Sequence, residues 1–215
     1  MQISFLGHSC FRLKGRDVRI LIDPFVSTKD VRLKKQETDV LLISHEHDDH
    51  NDRSVIKDPK TTKIFAGPGE YEVKGAHIRG IATFHDTSRG SERGWNTVYI
   101  IEIDGITICH LGDLGEELDD DLVEDIGEVD IVLVPVGGTY TINAGQAAEI
   151  IRELDPRIVI PMHARESGFD YTEKFDTLDD YIKADGSEVG KMDILKINAG
   201  DFATEGRKIV ILERS

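Results

Sequence analysis

The segment Ser44-His45-Glu46-His47-Asp48-Asp49-His50-Asn51 puts three of the chain's eight histidines within six positions. Alternation in an extended chain sends His45 and His47 to one side, where both imidazoles can reach one cation. A turn beyond them can aim Asp49 and His50 at a neighbouring point. Imidazole together with carboxylate suits Zn²⁺, Mn²⁺ or Fe²⁺ and not Ca²⁺. Alone, such a tract reads as polar surface or adventitious metal binding. Three further segments argue against that: Thr83-Phe84-His85-Asp86, Cys109-His110-Leu111-Gly112-Asp113-Leu114-Gly115 and Ile160-Pro161-Met162-His163. Each ends a strand-like run and delivers His or Asp into a loop, where a rigid scaffold converges side chains.

Short strands must hold these residues. Ile3–Leu13 and Val18–Ile22 flank Lys14-Gly15-Arg16-Asp17, a hairpin signature. Asp39–Ile43 is nearly all apolar, as expected of a strand covered on both faces, and opens into the histidine tract. Thr62–Ala66 and Ala76–Phe84 are further candidates, and Asp104-Gly105 joins Val98–Ile103 to Ile106–Leu111 with the strongest hairpin signal in the chain. Helices enter in the second half. Leu118, Leu122, Val123 and Ile126 share a helical face, and Val129–Val136 reads as a buried strand. Ala147, Ile150, Ile151 and Leu154 mark an amphipathic helix that Asp155-Pro156 ends, before a strand over Arg157–Pro161. A shorter helix with Leu178, Tyr181 and Ile182 precedes strands over Ile194–Ile197 and Lys208–Leu212. With no repeat and no linker, this mixture predicts sheets covered by helices in a single domain over 1–215.

The 215 residues, 39% hydrophobic and 31% charged, suit a globular chain that buries roughly 70–75% of its unfolded surface. No apolar run reaches the ~18 residues of a membrane span, and the N-terminus lacks the pattern of a signal peptide. A cytoplasmic location without membrane contact is the expectation. Forty-one acidic against 26 basic residues leave a net charge of −15, which repels phosphate backbones and argues against nucleic acid as partner. Cys10 and Cys109 are too few for a disulfide scaffold and fit no zinc finger; both read as small buried strand residues.

The order H-x-H-x-D-H, isolated His, Gly-Asp and late His resembles the metallo-β-lactamase superfamily, over nearly the whole chain. Gly7-His8-Ser9-Cys10, Ile22-Asp23-Pro24, His110-Leu111-Gly112-Asp113 and Pro161-Met162-His163 are similar to one branch, the small L-ascorbate-6-phosphate lactonase-like hydrolases. The resemblance implies an α/β fold of αβ/βα four-layer sandwich type, two mixed sheets face to face with helices outside and a dinuclear site at one edge. It further implies that His45, His47 and His85 hold a first metal, that Asp49, His50 and His163 hold a second, and that Asp113 bridges them. Zn²⁺ is the leading cofactor, with Mn²⁺ and Fe²⁺ compatible. Asp23 would stand behind a ligand imidazole and fix its orientation, against the plainer reading of a polar strand end before Pro24. Two cations ~3.5–4 Å apart share a water and lower its pKa until hydroxide forms near neutrality. Asp49 would orient that nucleophile and take its proton.

Other residues carry paired readings. His8 lines the pocket or is a hydrogen-bonded histidine on an edge strand. His110, three residues before Asp113, is expected behind the ligands rather than among them. Arg89 and Arg93, in a loop after His85, either grip an anionic group of the substrate or are solvated. Gly137–Asn143 opens a helix whose N-terminus could receive an anion with Tyr140 as a donor, unless Thr141 or Asn143 simply caps it.

The leading expectation is a metal-dependent hydrolase of a small, anionic ester or lactone. A phosphodiesterase acting on a small nucleotide or lipid head group keeps the metals and changes the bond. A diiron redox enzyme is the alternative of another class; the flavodiiron pattern replaces the second His of the motif by Glu, whereas this chain keeps His47 and no flavin domain follows. A scaffold with a degenerate site conflicts with seven filled ligand positions. A homo-oligomer is compatible with the sequence, which carries no diagnostic interface stripe.

Overall fold

The computed structural model describes residues 1–203 and 206–215. In chain order the strands begin with β1 (Gln2–Gly7), β2 (Cys10–Lys14), β3 (Arg19–Ile22), β4 (Val40–Ile43) and β5 (Lys63–Ala66). Next come β6 (Gly69–Val73), β7 (Ala76–Phe84), β8 (Trp95–Ile103) and β9 (Ile106–His110). Helix α1 (Asp120–Ile126), β10 (Ile131–Pro135), α2 (Ala144–Leu154), β11 (Ile158–Met162) and α3 (Leu178–Asp185) follow. The chain closes with β12 (Glu188–Met192), β13 (Ile194–Lys196) and β14 (Lys208–Leu212). They form a six-stranded sheet ordered β13-β1-β2-β3-β4-β5 and an eight-stranded sheet ordered β12-β14-β11-β10-β9-β8-β7-β6. Both sheets are mixed: β3, β4 and β5 run parallel, as do β9, β10, β11, β14 and β12, and the remaining pairs are antiparallel.

Alternation along the strands sorts the apolar residues into layers. Ile20, Ile22, Val40 and Leu42 of the first sheet meet Tyr99, Ile101, Ile108 and Leu133 of the second in the inter-sheet core. The opposite registers, such as Val98, Ile100, Cys109 and Val132, face helices α1, α2 and α3. On the outer face of the six-stranded sheet, Leu21, Leu41 and Ile43 are covered by Phe25, Val31, Val55 and Phe169 from loops and a 3₁₀ turn. The two mixed sheets form the expected α/β sandwich, but all three α-helices lie on the eight-stranded sheet, and loops with a 3₁₀ turn stand in place of the expected fourth, helical layer. Cys10 and Cys109 are buried and unpaired, one on each sheet.

Two readings change. The run Ile3–Leu13 is a hairpin rather than one strand, because Gly7 (φ 122°) and His8 (φ 58°) enter left-handed conformations and Gly7 pairs with Cys10 across the turn. That reversal takes His8 off a strand and places it at the end of the sheet. Strands β6 and β12 were not anticipated; both are sheet edges with charged alternation, Gly-Glu-Tyr-Glu-Val and Glu-Val-Gly-Lys-Met, which blunts an edge and hides its strand character. Strand directions bring six chain segments to one edge of the sandwich: the β1–β2 turn, the ends of β3 and β4, and the ends of β7, β9 and β11.

Candidate metal centre

These six ends deliver, in order, His8, Asp23, the His45–His50 tract, His85, Asp113 and His163. Three of them, His8, Asp23 and His163, sit at positive φ (58°, 45° and 52°) although none is glycine. Such backbone strain persists where the surrounding structure over-determines it. The backbone N–H of His163 donates to the carbonyl of His8 at 3.0 Å, tying the two sheets together at this edge.

Ligand atoms fall into three overlapping groups, each within 4.8 Å: His45, His47 and His85; His8, Asp49, His50 and His163; and His45, His50 and Asp113. Asp113 joins them. Its Oδ2 lies 3.8, 3.3 and 3.2 Å from Nε2 of His45, His85 and His163, and its Oδ1 lies 3.3 Å from Nε2 of His50. All four imidazoles are buried, as is Asp113.

Behind these candidate ligands, hydrogen bonds fix which nitrogen faces inward. Asp23, fully buried, accepts from the Ser44 N–H (2.7 Å) and the Ser44 hydroxyl (2.6 Å), and its Oδ2 lies 3.0 Å from His50 Nδ1. With its hydroxyl hydrogen spent on Asp23, Ser44 can only accept from His45 Nδ1, 2.9 Å away. Nε2 of His45 and His50 therefore point to the centre as lone pairs. The Asp113 N–H donates to Asn96 Oδ1 at 2.9 Å. Gly112 makes that approach possible: a Cβ there would stand 2.3 Å from the same Asn96 oxygen.

The chemistry of the set fits a cation. Nε2 of His45, His50 and His85 and Oδ1 of Asp113 are buried without a hydrogen-bond partner among the described residues, a costly arrangement in a protein interior unless a metal receives them. Burial and then the neighbouring His50 push the His45 pKa well down, so its imidazole is a neutral donor. Burial works against charge on His50 too, yet Asp113 and Asp23 outweigh it and push its pKa well up. The two carboxylates thus favour positive charge at His50, while burial keeps His45 and His85 neutral donors. Burial opposes ionisation of Asp49, but the contact from His8 and the field of His50 carry it below the usual carboxylate range.

A family described as the β-lactamase superfamily domain matches residues 2–163. The chain belongs to the metallo-β-lactamase superfamily. Within it, a UPF0173 metal-dependent hydrolase of Thermococcus onnurineus is 33% identical over 189 residues, covering 76% of this chain and 84% of the relative. A second, from Pyrococcus furiosus, is 32% identical over 190 residues, with the same shares covered. The crystal structure of a Thermotoga maritima protein, described as a candidate Zn-dependent hydrolase of this superfamily, superposes with a TM-score of 0.77 at 33% identity, covering 99% of this chain and 98% of that one. This chain is accordingly a metal-dependent hydrolase of the superfamily. No helix among the described residues is long and apolar enough to cross a membrane.

Around this superfamily centre, the remaining residues of interest divide. His8 is fully buried, with Nε2 3.3 Å from Asp49 Oδ2; burial, then His163, hold its pKa at about 4. Its backbone N–H donates to Glu166, which Arg214 also holds. His110 faces away from the ligands: Nε2 lies 3.2 Å from the Ser9 carbonyl, and Nδ1 accepts from the Gly112 N–H at 3.1 Å. It braces the turns that carry His8 and Asp113. Arg93 and Tyr140 meet each other, the guanidinium carbon 3.7 Å from the ring centroid, whereas Arg89 is exposed at a left-handed turn of the same loop. The N-terminus of α2 is capped by Asn143 in a reciprocal pair with Gln146, so the cap takes the place of the anion.

Several contributors gave no signal in the sequence. Asp86 accepts backbone N–H groups of Ser88, Gly90, Glu92 and Arg93, shaping the loop that presents Arg93; a lone acid after His85 does not announce this. Ser44 and Asn96 act through partners far along the chain. Tyr171 packs edge-on to His8, centroids 5.3 Å apart. Beside His45 and His47 opens a cavity of about 650 Å³ that Arg93, Trp95 and Ala82 also line.

Proposed function

We propose that the chain hydrolyses a small ester or lactone, using water activated between two divalent cations, with Zn²⁺ the best match to the ligand set. His45, His47 and His85 would hold one cation, Asp49, His50 and His163 the other, and Asp113 both. The observation that carries this reading is the placement of the Asp113 oxygens against imidazoles of both groups at 3.2–3.8 Å. Divalent cations held by these residues would supply Lewis acidity, activating water near neutral pH and polarising the oxygen under attack.

The side chains of the protein do the rest. Asp49 is the ligand carboxylate with the freest side chain, 30% exposed; it orients the attacking water and accepts its proton. As the water oxygen bonds to the acyl carbon and the bond to the departing alkoxide breaks, that proton passes to the alkoxide. His8, neutral and 3.3 Å away, holds Asp49 in position from the buried side. Arg93, held over the Tyr140 ring, offers its guanidinium to an anionic group of the substrate. Asp23 and Ser44 keep His50 and His45 in the tautomers that bind.

Elemental mass spectrometry on protein purified without chelator, followed by turnover of a γ-lactone, a p-nitrophenyl ester and bis-p-nitrophenyl phosphate, tests the reading. Two zinc or manganese ions per chain and chelator-sensitive turnover of lactone or ester are expected. A clear preference for the diester would move the reaction to phosphorus. Stoichiometric iron with oxygen consumption would replace hydrolysis of this kind by oxidative chemistry.

A further inference from the structure

The cavity beside His45 and His47, about 650 Å³ in volume, is the size of a small-molecule site. Away from the cluster its walls are apolar: Ala66 of β5, Gly67 and Pro68 of the β5–β6 turn, Ala82 of β7 and Trp95 of β8. Trp95 is 64% exposed, an unusual amount for the chain's single tryptophan, and its ring rests on Phe84 with centroids 4.6 Å apart. Most polar side chains of the lining are already engaged. Ser44 is spent on Asp23 and His45. Asn96 donates its amide hydrogens to Thr83 and Leu111, and its oxygen accepts from the Asp113 N–H. Glu46 is bound by Arg53 and Asn51, and the Gly67 N–H donates to Tyr99. Arg93 and the buried Thr97 complete the lining.

This inventory selects an occupant. A polyhydroxylated or phosphorylated body pushed into the groove would shed its water and find few replacement partners, which is unfavourable for every group so stripped. A flat hydrocarbon loses nothing and gains the Trp95 face and the alanine and proline walls. We propose that the groove is the subsite for an aryl group of the substrate, which sets the scissile bond over the His45–His47 side of the cluster. This deepens, and rests on, the hydrolase reading above: the substrate is an aryl-bearing ester or lactone rather than a sugar-like one.

Because Trp95 is the chain's only tryptophan, its fluorescence reports the groove without any turnover. The zinc-loaded protein is titrated with 4-phenylbutyrate and, separately, with gluconate, two carboxylates of comparable size. Saturable change of the Trp95 emission by phenylbutyrate, with gluconate weaker by about tenfold or more, is expected. In Ala82→Asp, on an exposed strand position, phenylbutyrate should weaken by about tenfold while zinc content stays the same. Equal affinity for the two carboxylates, or indifference of phenylbutyrate binding to Ala82→Asp, overturns the subsite even if esters are hydrolysed. Aryl selectivity with no hydrolysis of any ester or lactone keeps the subsite and sinks the hydrolase reading instead.

Discussion

The two halves of the centre both rest on imidazoles, one of them adding Asp49, and sit in different surroundings. His45 and His47 stand along the open cavity, with His47 partly exposed, while His85 is buried behind them. His8, His50 and His163 are 0–1% exposed and enclosed by rings. Phe175 stacks on His163 (4.8 Å between centroids, 17° between planes), Phe169 on His8 (5.8 Å, 29°), and Tyr171 meets His8 edge-on. In the closed half the imidazoles cannot turn, and low polarisability strengthens every charge they meet. In the open half an incoming molecule has room. The difference separates holding from receiving, and Asp113 is the residue that makes one centre of the two.

Removing that join is the largest effect to expect. Asp113→Asn keeps the shape and discards the charge shared by both groups, so activity should fall by ~10⁴-fold and bound metal should be lost from both halves. An Asp113→Asn protein with unchanged metal content would show that the halves bind independently. Asp23→Asn comes next. Asp23 reaches the closed half directly through His50 and the open half only through Ser44 and His45. Chelator competition should therefore give metal affinity lower by roughly 10–100-fold, with the closed half affected more. Equal loss at both sites would contradict the asymmetry.

His8→Phe acts on the closed half alone, because His8 contacts Asp49 and packs on His163, and no contact joins it to His47 or His85 among the described residues. One of two titrated zinc affinities should drop by about tenfold, with the other unmoved. A shift in both would mean that His8 supports the whole fold edge and not Asp49.

The halves also differ in how far the sequence reveals them. H-x-H needs only strand alternation to bring two imidazoles together, so His45 and His47 are legible from spacing, and the apolar run before them announces β4. The enclosure of the other half is assembled from residues far apart in the chain: the Glu166 carboxylate holds the His8 N–H across a separation of 158, and no local pattern encodes such a pair. His8 itself was obscured by backbone rather than by chemistry. Ile3–Leu13 has the composition of one strand, and only the left-handed conformations at Gly7 and His8 fold it back. The edge strands β6 and β12 were hidden for the opposite reason, since their charges protect the sheet edges and dilute the periodic signal. The groove walls escape sequence reading altogether, because Ala66, Pro68 and Ala82 acquire meaning only when β5 and β7 are placed on opposite sheets.

One chain of contacts crosses from the receiving half to the holding half, and its rupture is the smallest effect to expect. Arg93 lies on Tyr140, Tyr140 meets Phe175 edge-on at 5.7 Å, and Phe175 stacks on His163. At this partly exposed position the cation–π contact is worth about 0.5–1 kcal/mol. Tyr140→Leu preserves bulk over Phe175 and removes the face on which Arg93 rests. KM for an anionic ester should rise about 2- to 5-fold, with kcat and metal content unaltered, because the guanidinium loses its preferred pose and not its charge. A fall in kcat with unchanged KM would mean that the contact tightens His163 through Phe175, and the two halves would then be mechanically coupled by the aromatic chain as well as by Asp113.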